Sequence, residues 1–381
     1  MNFDLSEEQR LLADSIRRFI ANDYGFEERR RIVASAEGFS PTVWKTLAEM
    51  GLLALPLPAE HGGFGGGAAD LMSVMDAVGE ALVVEPYLST LVGARFVTRA
   101  GSAAQQAAIL PAVGEGTLKL AFAHLEDGAR YNLGHVTTKA ARAAGAWTID
   151  GTKRVVLHAP MADRLVVSAN DGNGIGLFVI DLDRDIGRLR VGGGPISLSS
   201  YRTLDNLRAA DITFAGAPAQ RLGDSSDTLP LIEEVVDYAT ALLCAEAVGA
   251  MRFANETTLE YLKTRKQFGV PIGAFQALQH RMVDMVVSCE QARSMASLAC
   301  TQVDSAGDPA ARMRVVSAAK IKIADACRHI AQESVQLHGG MGMSEELKVS
   351  HTFRRLTMIA QQFGDADHHL ERFAALSQER H

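Results

Sequence analysis

The sequence has few cysteines, and none of them are paired at the spacing of a metal or redox motif. Its 381 residues include 4 cysteines, Cys244, Cys289, Cys300 and Cys327, without a Cys-x-x-Cys pair. All four fall in segments predicted to be helical, so we expect buried free thiols and neither a disulfide framework nor a metal site. Unpaired thiols are typical of a reducing compartment, and we expect a cytoplasmic protein.

Long apolar runs and strongly basic segments are also missing. The opening MNFDLSEEQR has neither a basic region nor an apolar core, and no later stretch holds 18 unbroken apolar residues. A signal peptide and a membrane span are therefore not expected. The formal net charge is −7 and the longest basic run is that at residues 29–31, which argues against nucleic-acid binding.

Hydrophobic periodicity divides the chain into three parts and predicts an α+β fold. Residues 1–117 are predicted to be an all-α domain that starts with a Ser6/Gln9 capping box and includes helices over 43–50, 68–80, 88–100 and 102–113. Residues 118–225 predict an antiparallel β domain with strands over 120–124, 136–140, 146–149, 153–157, 164–168, 176–180 and 211–214. Residues 226–381 predict a four-helix bundle with segments over 228–264, 275–305, 308–338 and 346–378.

The stretch YLKTRKQFGVPIGAFQ, residues 261–276, offers planar polar groups at the end of a predicted helix. Gly269, Pro271 and Gly273 break the helix just after Arg265 and Gln267. An Arg and a Gln at such a break can donate to a phosphate or to the edge of a ring. On spacing alone, a turn between two helices with solvated charges is the more common explanation of such a stretch.

The stretch also resembles a family motif. RKQFGVPIGAFQ is similar to the R-x-QFG-x-PI-x-x-FQ segment of acyl-CoA dehydrogenases, and residues 336–342, QLHGGMG, resemble their QLHGGxG segment. Residues 3–9, 47–64, 150–153 and 162–163 are similar to further family segments, so the resemblance covers nearly the whole chain. It implies the same three-domain fold, an acyl-CoA substrate and FAD. In the family both blocks contact the FAD of a neighbouring subunit, which implies cofactor-binding roles for Arg265, Gln267, Phe268, Gln276, Gln336, His338, Gly339 and Gly340.

The family's catalytic Glu is missing from both of the places where it is found. That carboxylate removes the α-proton of the thioester while the β-hydride passes to the flavin. Alignment puts Phe363 at the commoner place and Ala239 at the other, with Asp237 turned about 200° away on the same helix. Asp365 and Asp367 are the weak candidates for an atypical base.

Residues that contact the flavin ring in the family are replaced as well. Residues 122–132 align with F-A-L-T-E-P-x-x-G-S-D, so Leu125 replaces the Thr. Residues 153–158 align with K-x-W-I-T-N, so Val155 and Leu157 replace the Trp and the second Thr, and neither side chain can donate to a flavin. His124 and His158 lie on the same predicted strands, where a structural role is the more common one.

The two blocks that contact a neighbour's FAD in the family are present, whereas the Glu and the residues that contact the flavin ring are replaced. Three hypotheses follow from this difference. The first is a non-catalytic subunit of an α2β2 acyl-CoA dehydrogenase, which completes the FAD site of a partner that carries the Glu. The second is a homo-oligomeric FAD enzyme with Asp365 or Asp367 as an atypical base. The third is a CoA-ester-binding or scaffold protein without redox activity.

Overall fold

The structure, a computed structural model, describes residues 7–182, 194–225, 227–305 and 307–378. The first part is helical, as predicted, although Ser6 of the capping box lies outside the described residues. One further helix was not predicted, because its sequence FEERRRIVA is too rich in charge to show an apolar period. The helices are α1 Glu7–Asp23, α2 Phe26–Ala34, α3 Pro41–Glu49, α4 Ala68–Ala81, α5 Tyr87–Ala100 and α6 Ala103–Gly114.

The middle part forms one seven-stranded sheet. Its strands follow the order β1-β4-β2-β3-β7-β5, β6 pairs with β7, and a further β4–β5 pairing closes five strands into a ring. Its core consists of inward-facing apolar residues such as Ile149, Phe178 and Ile212. The strands are β1 Leu120–Ala123, β2 Lys139–Ala143, β3 Ala146–Leu157, β4 Arg164–Asn170, β5 Ile175–Asp181, β6 Ile196–Arg202 and β7 Arg208–Arg221.

Three details of the β prediction are wrong. The sheet is not purely antiparallel, since β1 runs parallel to β4. The predicted strands 146–149 and 153–157 are one strand, β3, whose register against β7 shifts between Ile149 and Gly151 and again between Lys153 and Val156. β2 starts later than predicted because the N–H groups of Thr137 and Thr138 donate to the Glu126 carboxylate and not to a neighbouring strand.

The last part contains five helices in its described residues where four were predicted. The predicted segment 346–378 is broken at Phe363 and Gly364, whose φ angles of 60° and 118° are incompatible with a right-handed helix. A short hairpin separates the first two helices. Its strands, β8 Lys266–Gln267 and β9 Val270–Pro271, have two residues each. The helices are α7 Leu229–Thr264, α8 Gln276–Asp304, α9 Pro309–His338, α10 Lys348–Gln361 and α11 Ala366–Gln378.

The described residues pack into two compact units that alternate along the chain. One holds the residues up to Arg30, Gly67–Val83 and those from Asp237 onward, and it is almost entirely helical. The other holds Arg31–Gly66 and Val84–Val236, and it contains the seven-stranded sheet. The division into 1–117, 118–225 and 226–381 follows the change of secondary structure along the chain, and it stays a prediction.

The four cysteines are buried as free thiols, in agreement with the sequence analysis. Burial raises the pKa of Cys244, Cys289 and Cys327 to about 12, and it raises that of Cys300 well above its usual value. Within the described ranges, no helix combines the length and the apolarity needed to cross a membrane.

In the helical unit, α4 and α7 approach each other at two glycines. A Cβ on Gly79 would lie 1.8 Å from the Glu246 carbonyl oxygen, and one on Gly249 would lie 1.8 Å from that of Asp76. Arg252 of α7 ties the same pair of helices together through the Asp76 carboxylate at 2.6 Å. The backbones therefore meet without intervening side chains.

We expect Gly79→Ala to destabilise the protein by about 1–3 kcal/mol, because the new methyl would collide with backbone that cannot move aside. Gly114→Ala is the matched control, since the nearest atoms to a Cβ there would be those of Leu57 and Ala54, at ordinary distances of 3.4 Å and more. Urea unfolding measures both, and equal midpoints for the two variants would contradict this packing.

Candidate functional site

The hairpin between α7 and α8 presents an aromatic residue to solvent in an unusual backbone conformation. Phe268 and Gly269 have φ angles of 53° and 83°, which is the pattern of a type I′ turn. This conformation disfavours a residue with a side chain, and yet the Phe268 ring is 92% exposed. A strained, exposed aromatic residue is typical of a position that contacts another molecule.

The structure brings the two motif blocks together. The rings of Tyr261 and His338 stack with their centroids 4.4 Å apart, and Tyr261 lies one helical turn before Arg265. His338 Nδ1 lies 2.7 Å from the Ser334 carbonyl oxygen, so Nδ1 carries the proton and donates. Burial lowers the pKa of His338, which keeps the ring neutral. His338 therefore joins α7 to α9 and is itself buried.

The other residues predicted to bind a cofactor lie on the surface around this stack. The Arg265 guanidinium makes no ion pair or hydrogen bond with the residues that the structure describes. Gly339 ends α9 with φ 61° and ψ −144°, a conformation that is essentially restricted to glycine. The exposed members of the set are Arg265, Gln267, Phe268, Gln276, Gln336, Gly339 and Gly340.

The break that carries Phe363 is held from both sides by buried side chains. His369 Nε2 donates to the Phe363 carbonyl oxygen at 3.1 Å, so its Nδ1 accepts from the Ser317 hydroxyl at 3.2 Å. Lys320, which is fully buried, donates to the Ile359 carbonyl oxygen at the end of α10. Position 363, where the sequence alignment predicts the family's Glu, is therefore a well-supported turn that carries a phenyl group.

Neither candidate for an atypical base has the surroundings that the reaction requires. The Asp365 carboxylate accepts from the His368 backbone N–H at 2.9 Å and so caps the N-terminus of α11. Asp367 is exposed to water in the first turn of the same helix. Removal of a weakly acidic α-proton needs a dry pocket and a free carboxylate.

Two further carboxylates near the alternative position of the base are used to hold helices together. Asp237 is buried and bonds Arg312 at 2.9 Å and Arg372 at 2.6 Å, which links α7 to α9 and α11. Sequence reasoning missed Glu246, seven residues after Ala239 and thus on the same face of α7. It is buried 2.6 Å from Arg355, and a carboxylate held by a guanidinium is a poor base.

Beneath the loop that holds the flavin ring in the family, the sheet contains a buried ion pair. Lys153 Nζ lies 2.7 Å from Glu126 Oε1 and 3.0 Å from Ser168 Oγ, and both charged side chains are at most 2% exposed. Burial by itself would raise the pKa of Glu126, but hydrogen bonds from Lys153 and Thr137 lower it to about 2. Burial lowers the pKa of Lys153 to about 8. The pair fixes the start of this loop.

The surface of the loop does not fit the polar edge of a flavin. Leu125 and Val155 are 36% and 42% exposed and lie on adjacent segments, since the Arg154 N–H donates to the Leu125 carbonyl oxygen. The Val155 N–H donates to Asp211, and the Arg154 guanidinium bonds Asp127 and Asp211 at 2.8 and 2.9 Å. The nearby charged groups are thus bonded to one another, and the exposed side chains at positions 125 and 155 are apolar.

The two histidines of this region are buried and hydrogen-bonded. His124 Nδ1 lies 2.9 Å from Ser168 Oγ, and burial together with the charge of Lys153 lowers the pKa of His124 to about 3. His158 Nδ1 lies 2.7 Å from Ser89 Oγ. These contacts support the structural role expected for both.

Unusual backbone conformations concentrate at the motif positions. Eight residues other than glycine have positive φ in the described part of the chain, and five of them occupy these positions. Such strain is characteristic of functional sites. The five are Arg130, Val155, His158, Phe268 and Phe363.

Comparison with known proteins identifies the class. Residues 6–117 match the family model described as acyl-CoA dehydrogenase, N-terminal domain, and residues 229–380 match that of the C-terminal domain. The chain is 30% identical over 360 residues to acyl-CoA dehydrogenase IpdE2 of Mycobacterium tuberculosis, covering 93% of this chain and 92% of that protein. The chain belongs to the acyl-CoA dehydrogenase family.

Solved structures confirm the fold and include two complexes. A variant of the steroid acyl-CoA dehydrogenase Tcur3481–Tcur3483 superposes with a TM-score of 0.86 and 29% identity, covering 98% of each chain. The ChsE4–ChsE5 complex of Mycobacterium tuberculosis gives a TM-score of 0.87 over 100% of this chain and 99% of that one. Its identity is 24%, so this second similarity shows the fold alone.

We expect Lys153→Met to destabilise the protein by about 3–5 kcal/mol, because it leaves the Glu126 carboxylate buried without its cation. The double variant Lys153→Met/Glu126→Gln removes the unpaired charge and should recover part of this loss. Urea unfolding of the two variants tests the pair. A loss below about 1 kcal/mol for the single variant would show that the ion pair is not essential to the sheet.

The buried His369 predicts a pH dependence of stability. Burial, with the nearby charge of Lys320, lowers the pKa of His369 to about 3 from 6.5, so the unfolded chain takes up the proton first. The unfolding free energy should therefore fall as the pH drops below about 6.5, by at most about 1.4 kcal/mol per pH unit for this group.

His369→Gln should reduce that slope, whereas His280→Gln, which changes an exposed histidine, should leave it unchanged. Urea unfolding at several pH values between the two pKa values of His369 measures the slopes. Identical slopes for wild type and His369→Gln would mean that His369 is not held neutral.

Proposed function

We propose that this chain is a subunit of a heteromeric acyl-CoA dehydrogenase that completes the FAD site of a partner subunit and carries no catalytic base of its own. One observation supports this above the others. The residues predicted for the half-site around Arg265 and Gly339 lie exposed around one ring stack, whereas the positions predicted for the flavin ring and the base carry Leu125, Val155, Phe363 and Ala239. A family member that had simply lost its activity would be expected to lose both the half-site and its own ring-binding surface.

The exposed half-site has the chemistry that a dinucleotide requires. The unpaired Arg265 guanidinium can bond diphosphate oxygens with two parallel N–H groups, and the Gln267 and Gln336 amides can both donate and accept. Gly339 and Gly340 allow close approach of a ligand to the backbone, and the Phe268 ring offers a flat face for packing. The FAD, when bound, accepts the hydride; these residues would hold its diphosphate and adenosine end.

The reaction itself belongs to the partner in this proposal. Phe363 and Ala239 occupy both positions of the Glu, Asp365 caps a helix, and the buried Asp237 is bonded to two arginines. The partner would therefore supply the carboxylate and the surface that binds the flavin ring. One flavin per pair of subunits follows.

The similarity to a two-component enzyme supports the heteromeric arrangement and directs the choice of substrate. Tcur3481–Tcur3483, which is 29% identical to this chain, is named as a pair and is described as a steroid acyl-CoA dehydrogenase. The substrate class of the complex is then a CoA thioester, and a steroid-derived CoA thioester is the first compound to test.

The visible absorption spectrum tests the proposal. The chain purified alone should be colourless, and the chain co-purified with a Glu-bearing acyl-CoA dehydrogenase chain should be yellow with about one FAD per pair. Arg265→Ala should weaken FAD retention in the complex by about 10- to 100-fold, because a charge-assisted hydrogen bond is lost. Arg328→Ala, an exposed arginine on α9, is the matched control and should retain FAD like wild type.

Two results would overturn the proposal. One is a yellow chain on its own that is bleached by an acyl-CoA, which would show a complete active site. The other is unchanged FAD content in the Arg265→Ala complex, which would show that the half-site does not touch the cofactor.

A further inference from the structure

The exposed sulfur atoms of the described chain lie on one short turn. Among the methionines of the described residues, only Met341 and Met343 are exposed, by 52% and 69%, and one residue separates them. The four thiols are buried, and a buried, protonated thiol reacts slowly with oxidants. An oxidant that reaches the protein from solution therefore meets these two thioethers first.

The backbone that carries the two methionines is fixed by close packing. We call this segment, Gly339–Met343, the methionine turn. A Cβ on Gly342 would lie 2.6 Å from the Val335 carbonyl oxygen, so position 342 faces the end of α9 and has no room for a side chain. The Ser344 N–H donates to the Met341 carbonyl oxygen at 3.1 Å and closes the turn. Because position 342 is packed inward, the side chains on either side of it extend into solvent.

The methionine turn belongs to the surface of the proposed half-site. It starts directly after His338, whose ring stacks on Tyr261, and it contains Gly339 and Gly340. Apart from their chain neighbours, no described atom lies within 4 Å of a Cβ built on either glycine, so the space beside them is open. A ligand in that space would lie next to Met341, which follows the two glycines.

We infer that Met341 and Met343 form a peroxide-sensitive modification site, whose oxidation prevents the half-site from holding FAD. In each reaction the thioether sulfur takes one oxygen atom from hydrogen peroxide: the O–O bond breaks, an S=O bond forms and water leaves. The sulfur loses two electrons and the peroxide gains them. This inference rests on the proposed function and adds a redox control of the same site.

Oxidation changes what the two side chains can contact. A thioether is apolar and polarisable and packs well against a flat ring, whereas a sulfoxide is polar. The partial negative charge on the sulfoxide oxygen repels the phosphate oxygens that the half-site would hold. Methionine sulfoxide reductases return the sulfoxide to the thioether, so the control is reversible.

Peptide mapping by mass spectrometry tests the modification on the chain alone, without a partner and without FAD. The chain is treated with hydrogen peroxide at neutral pH, and the sulfoxide of each methionine is followed over time. Met341 and Met343 should be oxidised at least about 5-fold faster than the half-buried Met50 and Met358, because susceptibility follows exposure. Equal rates at these four methionines would overturn the site.

FAD retention tests the consequence of the modification. The chain is treated with peroxide, freed of the reagent with catalase, and mixed with an untreated Glu-bearing acyl-CoA dehydrogenase chain and FAD. Treatment should weaken FAD retention by about 10-fold or more, and methionine sulfoxide reductases should restore it.

Two double variants show whether the effect comes from the methionine turn. Met341→Leu/Met343→Leu should retain the same amount of FAD with and without treatment, because leucine is similar in size to methionine and has no sulfur to oxidise. Met50→Leu/Met358→Leu is the matched control and should respond to peroxide like wild type.

The outcomes separate this inference from the proposed function. Loss of FAD from treated Met341→Leu/Met343→Leu as well would place the damage elsewhere and overturn the inference. If the oxidised wild type retains FAD whereas Arg265→Ala loses it, the proposed function stands and the redox control is wrong. If neither change affects FAD retention, or if no pair containing FAD forms with the wild type, both are wrong.

Discussion

The contact between the Tyr261 and His338 rings is the interaction on which the candidate site depends. The two motif blocks are about 70 residues apart in sequence, and each lies at the C-terminal end of a long helix. Stacking of one aromatic ring on a buried, neutral imidazole holds these ends side by side. Arg265 and Gly339 thereby belong to one surface, and a half-site can exist without any contribution from the rest of the chain.

The residues that maintain the fold are different from those that would take part in the reaction. Lys153 and Glu126 form a buried pair, α4 and α7 meet at two glycines, and the turn at Phe363 is held by His369 and Lys320. These features maintain the backbone of an acyl-CoA dehydrogenase. The replaced positions, Leu125, Val155 and Phe363, support no part of that framework by hydrogen bonding through their side chains. Their chemistry could therefore change while the fold remained.

Local sequence patterns predicted most of the elements and the motif residues, and the failures have a common physical cause. The break at Phe363 was missed because apolar periodicity continues through it, whereas the left-handed Phe is held there by tertiary contacts of His369 and Lys320. The parallel β1–β4 pairing joins strands more than 40 residues apart, which no local period reports. The roles of Asp237 and Glu246 depend on arginines from distant helices. Features that depend on tertiary contacts could not be predicted from the sequence alone.

The four thiols have a consequence for any work on the assembled protein. Because burial raises every thiol pKa to about 12 or well above its usual value, almost no thiolate exists near neutral pH, and alkylating reagents find no reactive native site. A single cysteine introduced on the surface would then be the one reactive thiol of the chain. Fluorescent or spin labels can be attached at chosen positions without first removing the native cysteines.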